Sequence, residues 1–209
     1  MPVKASERIV SLYEDHAAAW DRLRSPGSLF EKPWLDRFLA RVRPGGTILD
    51  IGCGSGQPIA RYLIEQGFRL TGIDSAPSFI AMCRARFPEH QWEVADVRSL
   101  DLGRRFDGLI AWHSAFFHLT PEAQAPLFPR LAAQAAPGAS LLFTSGPEHG
   151  ELIGAWQSEP LYHGSLGPDE YRALLAANGF AAVEHRADDP DCGGATIWLA
   201  SCPMPPAIP

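Results

Sequence analysis

The segment Ile48-Leu49-Asp50-Ile51-Gly52-Cys53-Gly54-Ser55-Gly56-Gln57-Pro58 holds the densest chemistry in this chain. It reads as a buried strand carrying a carboxylate, a turn through three glycines, and a helix with proline at its first position. Glycines at such a turn let the backbone pass close to a ligand and leave N–H groups pointing at it. Asp50 interrupts an otherwise apolar strand, and a buried carboxylate is costly unless it meets donors or a cation. The loop therefore predicts a nucleotide-like cofactor with a partner for Asp50. Gln57 stands where the dinucleotide fingerprint G-x-G-x-x-G has its third glycine, which counts against a dinucleotide. Two more acids follow. Asp74 ends Thr71-Gly72-Ile73-Asp74, about 20 residues beyond the loop, where a carboxylate can accept both hydroxyls of a ribose. Asp96 lies in Glu93-Val94-Ala95-Asp96-Val97 after a third strand. Singly, Asp74 and Asp96 read equally well as helix caps. Three acids at the C-terminal ends of three successive strands read as one ligand-binding edge.

The elements that must position these residues alternate. The periodicity predicts a helix over 6–24, with Tyr13, His16 and Trp20 on one face, a break at 25–28, and a second helix over 32–42. Then come strand 47–51, helix 58–66, strand 69–73, helix 77–86, strand 91–94, strand 106–112, helix 121–135, strand 139–145, helix 168–177 and strands 180–187 and 195–201. Strands alternating with helices mean an α/β fold, a mostly parallel sheet between two helical layers. No helix separates the last two strands, so they form a hairpin and one strand runs antiparallel. Residues 146–166 read as a long irregular loop, more often functional than accidental. Its Trp156, Tyr162 and His163 suit a substrate lid, or equally a cover for the sheet edge. The proline-rich end, 203–209, reads as a disordered tail.

Asp50-Ile51-Gly52-Cys53-Gly54-Ser55-Gly56 resembles motif I of the class I S-adenosylmethionine-dependent methyltransferases, (D/E)-x-G-x-G-x-G. The resemblance covers residues 44–202 and implies a three-layer Rossmann-like fold with seven strands in the order 3-2-1-4-5-7-6. Residues 1–43 resemble the helical cap that many small-molecule members carry. It implies S-adenosyl-L-methionine as cofactor, with Asp74 on the ribose, Ser75 along the adenosine edge and Asp96 with Val97 at the adenine. Asp50 would approach the methionine ammonium, and Gly52, Gly54 and Gly56 would form the cradle, with Cys53 a small filler inside it. Tyr13 resembles a position that covers the methionine part; its bland alternative is a core aromatic. The stretch after strand 106–112, Trp112-His113-Ser114-Ala115-Phe116-Phe117-His118, would face the methyl group. It assigns Trp112 to the cofactor side and makes His113 the candidate base. Trp20, Ser114, Phe117, His118, His149, Tyr162 and His163 are the candidate acceptor contacts.

Composition narrows the rest. Net charge is −6 over 209 residues with no basic cluster, so no nucleic-acid partner is expected. No D/N-P-P-Y/F signature follows the fourth strand, which lowers the case for DNA bases or protein glutamine as acceptors. No apolar run approaches membrane-spanning length, no signal-peptide pattern opens the chain, and the four cysteines lack C-x-x-C spacing. The expectation is a cytoplasmic enzyme, monomer or homodimer, acting on a small molecule. His149 and His163 raise metal binding, but no compact ligand spacing supports it and no metal is expected. Two alternatives stand beside this: a non-catalytic S-adenosylmethionine-binding regulator, and a nicotinamide oxidoreductase, disfavoured by Gln57, Asp50 and the lack of a Tyr-x-x-x-Lys pair.

Overall fold

The computed structural model describes residues 5–24 and 29–204. The expected break at 25–28 and the last five residues of the expected tail lie outside them. In chain order the elements are α1 (Ile9–Asp15), α2 (Ala17–Arg24), α3 (Lys32–Leu39), β1 (Thr47–Ile51), α4 (Ile59–Glu65), β2 (Arg69–Asp74), α5 (Pro77–Arg86), β3 (Gln91–Val94), β4 (Phe106–Ala111), α6 (Ala115–His118), α7 (Pro121–Gln124), α8 (Leu127–Gln134), β5 (Ala135–Ser145), β6 (Gly150–Trp156), β7 (Glu159–Ser165), α9 (Pro168–Ala177), β8 (Ala181–Asp189) and β9 (Ala195–Ser201).

Seven strands form one sheet in the order β3-β2-β1-β4-β5-β9-β8. The pairs from β3 through β5 are parallel, and β9 runs antiparallel to both β5 and β8. With β6 and β7 set aside as a separate pair, this is the expected order. Period-two alternation divides the core. Leu49, Ile51, Leu141 and Phe143 face the layer of α8 and α9, meeting Phe128, Tyr171 and Trp198. Ile48, Ile110 and Leu142 face α3, α4 and α5 through Leu35, Phe38, Leu63 and Ile80. Burial on both faces explains why these strands are nearly continuous apolar runs.

Four departures from the sequence reading have local causes. The first helix is two: His16 leaves helical geometry (φ −113°, ψ 15°) between α1 and α2. The second ends at Leu39 because the chain tightens into i→i−3 bonds, Arg41 N–H to the Phe38 carbonyl and Val42 N–H to Leu39. The 121–135 helix divides before Leu127, at Pro126, whose missing N–H cannot continue α7. The segment read as irregular is instead a hairpin, β6 paired antiparallel with β7 from Gly150↔Ser165 to Trp156↔Glu159. Its turn residues Gln157 and Ser158 both have positive φ, 52° and 64°, the conformation that two-residue hairpin turns require.

Candidate active site

The glycine turn after β1 is left-handed at all three glycines, with φ of 71°, 52° and 78° at Gly52, Gly54 and Gly56. Space also restricts Gly52, where a Cβ would come 2.4 Å from the Ser114 Cβ. Ser114 is fixed by its own hydroxyl, which donates to the Ile51 carbonyl at 2.7 Å. Asp74, at the end of β2, braces the turn: Oδ2 accepts the Gly54 N–H at 3.0 Å and Oδ1 the Ala76 N–H at 2.9 Å. Burial pushes its carboxyl up to about 6, against the pull of those amides. Asp50 is 4% exposed, and among the described residues its carboxylate has no hydrogen-bond partner. Burial first, and the Asp74 charge second, push it up to about 7. Glu14 of α1 accepts the Ser78 N–H at 3.0 Å and hydroxyl at 2.6 Å, tying the N-terminal helix to α5.

These groups line a cavity of about 220 Å³ over the C-terminal edge of the parallel strands. Asp50, Gly52, Cys53, Gly54, Asp74, Ser75, Asp96, Val97, Trp112 and Ser114 all border it, as do Tyr13 and Trp20 from the N-terminal helices. Gly56 does not border it; a Cβ there would meet Phe87 at 2.9 Å and the Cys83 sulfur at 3.3 Å, so its role is close packing. Asp96 also caps a turn, accepting from Arg98 N–H and the Arg98 guanidinium, which holds its carboxyl below the usual range. Burial raises the Cys53 thiol well above its ordinary value, which suits a filler and not a nucleophile.

A second cavity of about 260 Å³ adjoins the first, bordered by Tyr13, Trp20, His113, Phe117, His118, Trp156, Leu161 and His163. Tyr13, Trp20, His113 and His118 border both. His113 follows β4 in a left-handed conformation (φ 45°), a strained state for a residue with a side chain. Its N–H donates to Thr144 Oγ1 at 2.8 Å. Burial, then Arg24 and His163, push its imidazole down to about 4, out of the neutral range that the sequence reading assigns to it.

His118 can be assigned a tautomer. Its Nδ1 lies 3.1 Å from the Tyr162 carbonyl, which only accepts, so Nδ1 carries the proton. Nε2 is then the acceptor for the Tyr13 hydroxyl at 3.0 Å. Burial pushes His118 down to about 4 as well.

Two candidate contacts are not brought to the site. His149 pairs with Glu170 Oε2 at 2.7 Å on the surface, where that carboxylate also caps α9. Tyr162 is 3% exposed and contributes its carbonyl, while its ring borders neither cavity. The sequence reading misses Arg24 and Glu159, whereas it names Trp156 as a lid residue or a sheet-edge cover. Arg24 borders the first cavity and is ion-paired with Glu31, which is wholly buried. Trp156 stacks on Tyr13 at 5.7 Å and meets Trp20 edge-on at 5.6 Å. Glu159, just past the hairpin turn, binds Arg8 at 2.9 Å and His16 at 2.7 Å, clasping the hairpin to α1. Among the described residues no group of three His, Cys, Asp or Glu could hold a metal ion. No described helix is long and apolar enough to cross a membrane.

Residues 48–138 match the model of a methyltransferase domain. A trans-aconitate 2-methyltransferase of Sinorhizobium medicae is 37% identical over 109 residues, 50% of this chain and 40% of the relative. A carboxy-S-adenosyl-L-methionine synthase of Chromohalobacter salexigens is 28% identical over 155 residues, 68% of this chain and 52% of the relative. The chain thus spans about half or less of the length of these curated relatives. The magnesium protoporphyrin IX methyltransferase of Synechocystis PCC 6803, solved with S-adenosylmethionine bound, superposes with a TM-score of 0.73 at 16% identity, covering 96% of this chain and 98% of that one. With its glycine cradle, its strand-end acids and this sheet order, the chain takes the Rossmann-like methyltransferase fold, and residues 48–138 within it match a methyltransferase domain.

Proposed function

We propose that the chain transfers the methyl group of S-adenosylmethionine to a small-molecule acceptor by in-line displacement. The observation that carries this reading is the wall of Tyr13, Trp20, His113 and His118 common to the two cavities. One cavity has the glycine cradle and acids suited to the cofactor, and the other opens from it. The residues fit the cofactor in detail. An amino-acid moiety needs an anion and a cation, and Asp50 and Arg24 border the same cavity. Trp112 Nε1 is a buried donor without a partner, as a site awaiting a ligand acceptor would have. Asp74, Ser75, Asp96 and Val97 are the contacts for ribose and adenine.

When bound, the cofactor supplies an electrophilic methyl on a sulfonium. The chain's own residues do the rest by alignment and exclusion of water. The N-terminal helices and the hairpin, stacked through Tyr13, Trp20 and Trp156, cover the reacting groups. His113 is neutral throughout the working range because its imidazole is held near 4. A ring nitrogen there accepts the acceptor's proton, which becomes strongly acidic as the new bond forms, so a weak base suffices. A reducing, cytoplasmic setting fits the four free cysteines.

Calorimetry with S-adenosylmethionine, S-adenosylhomocysteine and NAD tests the cofactor, with micromolar binding expected for the two sulfur compounds. Tighter binding of NAD would reject the reading. Release of S-adenosylhomocysteine across a panel of small acceptors tests transfer itself.

A further inference from the structure

We propose that the second cavity is built for a flat, uncharged aromatic acceptor of one or two rings that presents a hydroxyl or ring N–H. The proposal rests on the methyl-transfer reading above and adds the class of acceptor. Rings follow one another round the cavity: Trp20 to Tyr13 at 5.5 Å, Tyr13 to His118 at 5.2 Å, His118 to His163 at 5.7 Å, His163 to Phe117 at 5.7 Å and Phe117 to His113 at 5.4 Å. Both ends of this arc, Trp20 and His113, border the cofactor cavity, so a ring held along it has an edge beside the methyl. The volume, about 260 Å³, exceeds the roughly 150 Å³ that holds a benzene in an apolar cavity.

Charge gives the second constraint. Among the described residues bordering this cavity there is no Lys, Arg, Asp or Glu. Arg24, the cation whose charge reaches His113, borders the other cavity and is held by Glu31. A carboxylate acceptor of the aconitate type would lose its water here without gaining a cation, and an alkylammonium would gain no anion. Burial keeps the three imidazoles below their ordinary pKa, so they do not supply the missing positive charge near neutrality. The rings of His113 and His163 have no hydrogen-bond partner among the described residues. Each can donate or accept in the ring plane, which suits a hydroxyl or ring N–H on a flat molecule.

The test is calorimetry on the full chain, with and without S-adenosylhomocysteine, using 2-naphthol and indole as flat probes against trans-aconitate and hexylamine. The flat probes should bind, and trans-aconitate and hexylamine should bind at least tenfold more weakly. Phe117→Ala, which opens a wall that only this cavity uses, should weaken the flat probes at least fivefold and leave S-adenosylhomocysteine affinity within twofold. Leu161→Trp, which fills the space instead, should do the same and guards against a variant that misfolds. Tighter binding of trans-aconitate or hexylamine, no binding of either flat probe at millimolar concentration, or flat-probe binding indifferent to both substitutions would overturn the proposal. If the flat probes bind as expected but S-adenosylhomocysteine does not, the chamber stands and the methyl-transfer reading falls.

Discussion

Asp50→Asn should flatten the pH dependence of folding stability in the unliganded protein. The Asp50 carboxyl is pushed from its ordinary 3.8 up to about 7, by burial and then by Asp74. Between those values the folded state keeps a proton that the unfolded chain has released. Stability in the parent therefore falls as pH rises through this window. From pH 5 to pH 7 that is two units, or about 3 kcal/mol at ~1.4 kcal/mol per unit, and about 4 kcal/mol over the whole shift. The group is 4% exposed, so solvent does not screen the effect away. Asparagine carries no charge at either pH, and the smaller slope from Asp74 remains in both proteins. Urea unfolding of parent and variant at pH 5 and pH 8 gives four free energies. Their double difference should be about 3 kcal/mol, with the variant gaining at pH 8. The same charge should matter to the ligand in the opposite sense. An ammonium beside Asp50 favours the ionised form, so S-adenosylhomocysteine should bind more weakly as pH falls below 7, by up to about tenfold per unit. The variant should lose that dependence along with affinity. Parallel stability profiles, with a double difference below about 1 kcal/mol, would refute the reasoning and mean that Asp50 ionises as an ordinary carboxylate.

Asp74→Ala leaves the Gly54 and Ala76 amides without their carboxylate; S-adenosylhomocysteine affinity measured by calorimetry should fall by ~1–3 kcal/mol, and unchanged affinity would reduce Asp74 to a cap. His113→Gln should lower kcat by roughly 10²-fold or more while cofactor affinity stays within about twofold; with the imidazole near 4, the parent's rate should show no limb from this group between pH 6 and 8. Near-parental turnover in the Gln variant would leave alignment alone as the source of rate. Gly52→Ala sets a Cβ 2.4 Å from the Ser114 Cβ at a φ of 71°; the protein should fold by circular dichroism yet bind S-adenosylhomocysteine at least about tenfold more weakly, through displacement of the cradle. Glu159→Gln should raise the acceptor KM and speed proteolysis within the hairpin without altering cofactor affinity, and an unchanged KM would mean that the clasp does not control access.

The cofactor half of the site was legible because its residues are close together in the chain. Asp50 and three glycines within seven positions announce a strand, a turn and a ligand, and Asp74 follows at the distance that one βα unit dictates. The sheet order came with the family resemblance; the residues themselves marked β1, β4, β5 and β9 only as strands, because burial on both faces makes them largely apolar runs. The hairpin was not legible. Glu151, Leu152 and Ile153 are all exposed, so β6 lacks the alternation that marks a half-buried strand, and Gln157-Ser158 is not a typical residue pair for a two-residue turn. Arg24–Glu31 and Glu159–His16 were illegible for a different reason: each depends on how segments without a common period come together in space. His149 failed because an exposed imidazole that caps a helix through Glu170 looks, in sequence, like one that lines a pocket. In sequence, Asp74 and Asp96 read equally as ligand contacts or as caps. Both border the cavity and both also accept backbone N–H groups, so the alternatives were never exclusive.

The hairpin's backbone ladder is made within its own two strands, apart from the seven-stranded sheet. Its side chains Trp156, Leu161 and His163 nevertheless border the second cavity, the proposed acceptor chamber. On the proposed reading, part of the acceptor choice is thereby carried on a segment whose replacement would break no ladder of the core sheet. A chain built this way would reshape one side of that chamber by exchanging about sixteen residues. Its cofactor chemistry would be inherited intact, as a fixed chassis under an interchangeable tool.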